Sequence, residues 1–102
     1  MPLVIRLEDE DGNCLEEVHD KEGDLNTLLP LLTERSYSCF RFIDPYGNTV
    51  FNRLQMSDFL SEASQLAKGP SNPRARALLI EIGHLGEECQ KEPHLYIKFY
   101  GD

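Results

Sequence analysis

Tryptophan is absent, cysteine is down to three residues, and positive charge is scarce: ten lysines and arginines face 18 acids in 102 residues. Each shortage excludes something. Cys14, Cys39 and Cys89 are odd in number and far apart, which argues against a secreted disulfide framework and for reduced thiols in a cytoplasm. With so few bases there is no basic stripe to track a phosphate backbone, so nucleic-acid binding is not expected. No apolar run approaches the ~18–20 residues of a membrane span. The opening Met1-Pro2-Leu3-Val4-Ile5-Arg6-Leu7 lacks the basic and long apolar regions of a secretory signal, and reads as a strand.

Recognisable chemistry is equally scarce. There is no glycine-rich phosphate loop and no GxSxG elbow, so neither a nucleotide nor a serine nucleophile is indicated. Asp9-Glu10-Asp11-Gly12-Asn13 contains calcium-type ligands. Counted from Asp9, however, the sixth and twelfth positions are Cys14 and Asp20, where an EF-hand loop needs glycine and glutamate. His84, Cys89 and His94 are evenly spaced but lack the second ligand pair of a zinc site. The expectation is a protein with no metal, no cofactor and no catalytic residue, leaning away from an enzyme.

What is present is a sharp charge asymmetry. Residues 1–24 carry nine acids and two bases, a net of −7, and residues 25–102 carry nine acids and eight bases, a net of −1. Glu8, Glu10, Asp11, Glu16 and Glu17 in that first quarter form a candidate surface for a basic partner. The plainer reading of the same residues is a solvated hairpin with guarded edges.

Hydrophobic periodicity supplies the fold expectation. Leu3, Ile5 and Leu7 alternate with Val4, Arg6 and Glu8 as in a half-buried strand. Asp11-Gly12-Asn13 turns the chain towards a second strand over 14–18. Asp24 is placed to cap a short helix carrying Leu25, Leu28 and Leu29. Pro30 stops that helix, and Leu31 and Leu32 are expected to pack inward as a plug. Residues 37–43 read as a strand with Phe40 and Phe42 on its buried face, joined through Asp44-Pro45-Tyr46-Gly47-Asn48 to a strand over 49–51.

Met56, Phe59, Leu60, Ala63, Leu66 and Ala67 then define one face of a helix, with Glu62 among the polar residues opposite. Gly69-Pro70 ends it, and Asn72-Pro73 opens another. The second helix buries Ala75, Leu78, Leu79, Ile82, Leu85 and Cys89, and Gly86 on that face marks a close approach by a ring or backbone. Leu95, Ile97 and Phe99 alternate in a last strand. The sum is a single α+β domain over 1–102: a two-layer sandwich in which two amphipathic helices cover one face of a mostly antiparallel sheet of about five strands.

Asp44, Tyr46, Asn52, Arg53 and Gln55 crowd the junction between the second turn and the first long helix, a candidate polar binding site. Their plainer reading is structural: Asp44 holds the turn, Asn52 and Gln55 form a capping box, and Arg53 neutralises Asp44.

The run DPYGNTVFNRLQM and the ending HLYIKFYGD resemble a group of small bacterial proteins of unknown function and about this length. The resemblance implies a bacterial, cytoplasmic protein and assigns no activity, cofactor or residue role. Small size, acidic asymmetry and the missing catalytic motifs together favour a non-catalytic protein-binding module, of the inhibitor or immunity type against a basic partner. The alternatives are a structural homo-oligomer or homodimer, pairing through Ala77 and Ile80 or through Tyr96 and Tyr100, and an enzyme with a site near Asn52, Arg53 and His94.

Overall fold

A computed structural model describes residues 3–69 and 72–101; Pro70 of the helix-ending pair and Asp102 of the C-terminal motif lie outside them. Strands β1 (Leu3–Asp9), β2 (Cys14–Asp20), β3 (Asn48–Asn52) and β4 (Leu95–Tyr100) and helices α1 (Met56–Ala67) and α2 (Pro73–Lys91) make an α+β fold. The sheet is open, ordered β2-β1-β4-β3, and antiparallel throughout.

Strand alternation decides the faces. Ile5 sits opposite Phe99 and Leu7 opposite Ile97, while Phe51 sits opposite Ile97 from the other side. These side chains share one sheet face and enter a single core with Met56, Phe59 and Ala63 of α1 and Leu78, Leu79, Ile82, Leu85 and Cys89 of α2. Phe59 is its hub, with ring centroids 4.9 Å from Phe40, 5.4 Å from Phe51 and 6.1 Å from Phe99. Gly86 makes the expected close approach: a Cβ there would lie 2.9 Å from Leu60 Cδ2 and 3.3 Å from the Phe59 ring.

Four strands stand where about five were expected. Residues 37–43 do not form a strand; Phe40–Phe42 is a 3-10 turn. Cys39, Phe40 and Ile43 are buried together and Phe42 is 50% exposed, a pattern no period-2 strand produces. The expected hairpin between this segment and 49–51 is therefore absent, and β3 pairs with β4 instead. Leu31 and Leu32 are 72% and 63% exposed, so the expected plug is not there; Leu25 alone of that run is fully buried.

The Asn72 carboxamide oxygen accepts from Arg74 N at 2.9 Å, with Pro73 in the first turn. The cap expected from Asp24 fails. Asp20 takes its place, accepting from Asp24 N at 2.9 Å and Leu25 N at 2.8 Å. Asp24 instead receives Asn72 Nδ2 at 3.0 Å and Arg74 Nε at 3.2 Å, tying this loop to the start of α2.

Candidate functional site

The β1–β2 hairpin is the charged end of the molecule, and folding sorts its acids into two groups. One group is engaged. Asp9 accepts from the amides of Asp11 and Asn13 and from Asn13 Nδ2. The backbone and side-chain hydrogen bonds from Asn13 hold its carboxyl below the ordinary range. Glu17 receives His19 at 3.1 Å and Arg6 at 3.0 Å, and its pKa is lowered, first by the His19 hydrogen bond.

Glu8 belongs to this group as well, and the structure removes it from the acidic surface. A bulge displaces the pairing between Leu7 and Glu8, and Glu8 is only 1% exposed although it lies on the sheet face away from the helices. Lys98 Nζ donates to its Oε1 at 2.9 Å and the Tyr100 hydroxyl to its Oε2 at 2.5 Å. Burial by itself would raise the Glu8 pKa. The bonds from Tyr100 and Lys98 and the charges of Lys98 and Arg6 outweigh it and hold the pKa below the ordinary value.

The second group remains turned to solvent. Asp11, Glu16 and Glu22 are exposed and have no cationic partner among the described residues. Glu10, also exposed, meets His94 Nδ1 at 3.1 Å. Glu10, Asp11 and Glu16 of the expected surface are thus available, joined by Glu22.

The junction residues divide between the two ends of β3, about 13 Å apart at ~3.3 Å per residue. At one end Asp44 Oδ1 accepts from Tyr46 N at 2.9 Å, and the Asp44 amide donates to Thr49 Oγ1 at 3.0 Å. Gly47 is not left-handed; among the described residues only Gly12, Gly23 and His94 have positive φ. Its lack of a side chain matters because a Cβ would approach Asp44 Oδ2 to 2.8 Å. At the other end the capping box forms: Asn52 Oδ1 accepts from Leu54 N at 3.0 Å, and Gln55 Oε1 accepts from Asn52 N at 2.9 Å. Arg53 does not neutralise Asp44, since no ion pair joins them among the described residues. Asn52→Ala is expected to lower the unfolding free energy by ~1 kcal/mol, the usual worth of a cap. An unchanged urea midpoint would remove the capping role.

Asn52, Arg53 and His94 do come together. With Leu54, Pro93, Leu95 and Tyr96 they line a shallow cavity of about 240 Å³. Glu8 is opposite Tyr96 in the ladder, but its carboxylate oxygens are taken by Lys98 and Tyr100, and no thiol or carboxylate lines the cavity. Burial pushes the Cys39 and Cys89 thiols up to about 11, helped at Cys39 by the Glu62 charge, so both are protonated at neutral pH. No group of His, Cys, Asp and Glu among the described residues is arranged to hold a metal ion, and no described helix is long and apolar enough to cross a membrane. Ala77 and Ile80 are exposed, Ile80 at 51%, so nothing among the described residues covers the second face of α2.

Two carboxylates escaped the sequence reading. Glu62, from the polar side of α1, is buried and accepts from Cys39 N at 3.1 Å, Phe40 N at 2.9 Å and Ser38 Oγ at 3.0 Å. Asp20 plays the corresponding part for residues 24 and 25. Each caps a 3-10 turn by side-chain contact, and Glu62 does so across more than 20 residues, where no spacing rule operates. The chain matches no family model, no curated protein and no solved structure.

Proposed function

We propose that this protein is a non-catalytic binding module of the inhibitor or immunity type, and that it receives a basic protein partner at its β1–β2 hairpin. The observation that carries the reading is the uncompensated charge along the hairpin: Asp11 and Glu16 towards its tip, where Glu10 is also exposed, and Glu22 past the far end of β2 have no cationic partners among the described residues. Compensation has gone instead to Glu8, Glu17 and Asp24, which hold the fold together. An open cluster of one sign accelerates encounter with the opposite sign.

The test begins with capture of the partner from native lysate and its identification by mass spectrometry, followed by stopped-flow association. Wild-type association should slow as salt shortens the Debye length from ~10 Å at 0.1 M to ~3 Å at 1 M. The variant E10Q/D11N/E16Q/E22Q, which leaves Glu8 and Glu17 intact, should associate at least ~10-fold more slowly at low salt. Equal rates for the two proteins at low salt would reduce the acidic hairpin to a solubility feature.

A further inference from the structure

β2 and β3 are the two edges of the sheet, and they differ in how their outward peptide groups are treated. β3 has five residues and is closed at its finish, where the Asn52 amide is taken by Gln55 Oε1. β2 has seven residues, five of them exposed. Leu15 is the extra residue where the register shifts, leaving an uninterrupted ladder over residues 16–20. Along such an edge every second peptide group faces away from the sheet. Among the described residues, the contacts to peptide groups of this strand outside the ladder are Cys14 Sγ to the Glu16 carbonyl at 3.5 Å and, at its end, Gly23 N to the Asp20 carbonyl at 3.3 Å.

The charges beside this edge select what can pair with it. In a two-fold antiparallel pairing of β2 with a second copy centred on Val18, Glu16 would face Asp20. Centred on Glu17, that residue would face itself. Like charges directly opposite one another are destabilising, so both of these registers are disfavoured for a second copy. A strand bearing lysine or arginine opposite Glu16 and an apolar residue opposite the half-buried Val18 meets both. Leu15, 53% exposed just beyond the ladder, extends the apolar contact.

We propose that the basic partner docks by strand addition, an extended lysine- or arginine-bearing segment pairing its main chain with residues 16–20 of β2 as a fifth strand. This rests on the basic-partner reading above and adds the mode of recognition: main-chain bonds supply affinity and alternate side chains supply selectivity.

The probe is the capped heptapeptide Lys-Thr-Val-Thr-Lys-Thr-Val, whose one face presents lysine and valine at successive positions two residues apart, added to the full chain. Two derivatives accompany it, one N-methylated at alternate residues, which keeps one bonding edge, and one N-methylated throughout, which keeps none. The first two should bind comparably, and the fully methylated peptide at least ~10-fold more weakly. At saturation, hydrogen exchange should slow ~10-fold or more at alternate amides within residues 16–20 and not at β3. Salt-sensitive binding that ignores methylation, or protection appearing elsewhere, would overturn strand addition and leave the basic-partner reading standing. Absence of salt-sensitive binding by any of the peptides at millimolar concentration would overturn both.

Discussion

Glu62→Ala is expected to lower the unfolding free energy by about 3 kcal/mol, because it strands buried donors that each cost ~1–3 kcal/mol when left unsatisfied. The Glu62 carboxylate is the acceptor for Cys39 N, Phe40 N and Ser38 Oγ. Those amides open the 3-10 turn that delivers Phe40 to the Phe59 and Phe99 rings. Water cannot easily take over, since Cys39 and Phe40 are themselves buried. Glu62→Gln keeps one acceptor oxygen and should lose about half as much. Ser38→Ala, at an exposed residue, should lose ~1 kcal/mol or less. Urea unfolding followed by circular dichroism measures all three, read as a shift in midpoint at constant slope. A loss under ~1 kcal/mol for Glu62→Ala would mean that the turn stands without its carboxylate.

Glu8→Gln should cost about 2 kcal/mol at neutral pH and remove part of the protein's acid sensitivity. Breaking a fully buried ion pair can cost ~3–5 kcal/mol. Lys98 is 29% exposed here, and solvent screening moves the figure towards that of charge-assisted hydrogen bonds. The sign of the pH effect follows from the lowered Glu8 pKa. The folded state binds this proton less tightly than the unfolded chain does. The stabilisation is therefore complete above the unfolded carboxylate value, ordinarily 4.5, and is lost as pH falls through the lower folded value. Wild type should lose this contribution on acidification, while Glu8→Gln lacks it at every pH, so the two stability curves converge at low pH. The Lys98 pKa is raised by its hydrogen bond to Glu8. Its contribution is present below the ordinary lysine value and lost as pH rises through the folded one. Parallel wild-type and variant curves between neutral pH and pH 3 would contradict the assignment.

These two carboxylates show why the candidate surface was only partly legible. Glu8 and Glu16 are the same residue type in neighbouring strands of one hairpin, yet Glu8 is buried under Lys98 and Tyr100 while Glu16 is open. Their separation comes from strand order. β1 is central and has β4 beside it, and β2 is an edge. Charge counting places −7 in residues 1–24 but cannot say which acids the fold consumes. The junction residues Asp44, Tyr46, Asn52, Arg53 and Gln55 are contiguous enough in sequence to suggest one site. The intervening β3 then holds its two ends apart.

The sequence by itself determined β1, β2, β4, both helices and the caps at Asn52 and Asn72. Each is a local regularity: alternation of period 2, an apolar stripe of period 3.6, or a polar side chain within three residues of the amide it binds. Gly86 belongs with them, because a glycine on a buried helix face implies a neighbour pressed against it. Only the tertiary structure decided that residues 40–42 turn instead of extending, that β3 joins β4, and that Glu62, Asp20 and Glu8 lie inside. Five alternating residues at 39–43 satisfy a strand as well as a turn. The choice falls to the turn because the carboxylate on α1, more than 20 residues later, supplies acceptors for its amides.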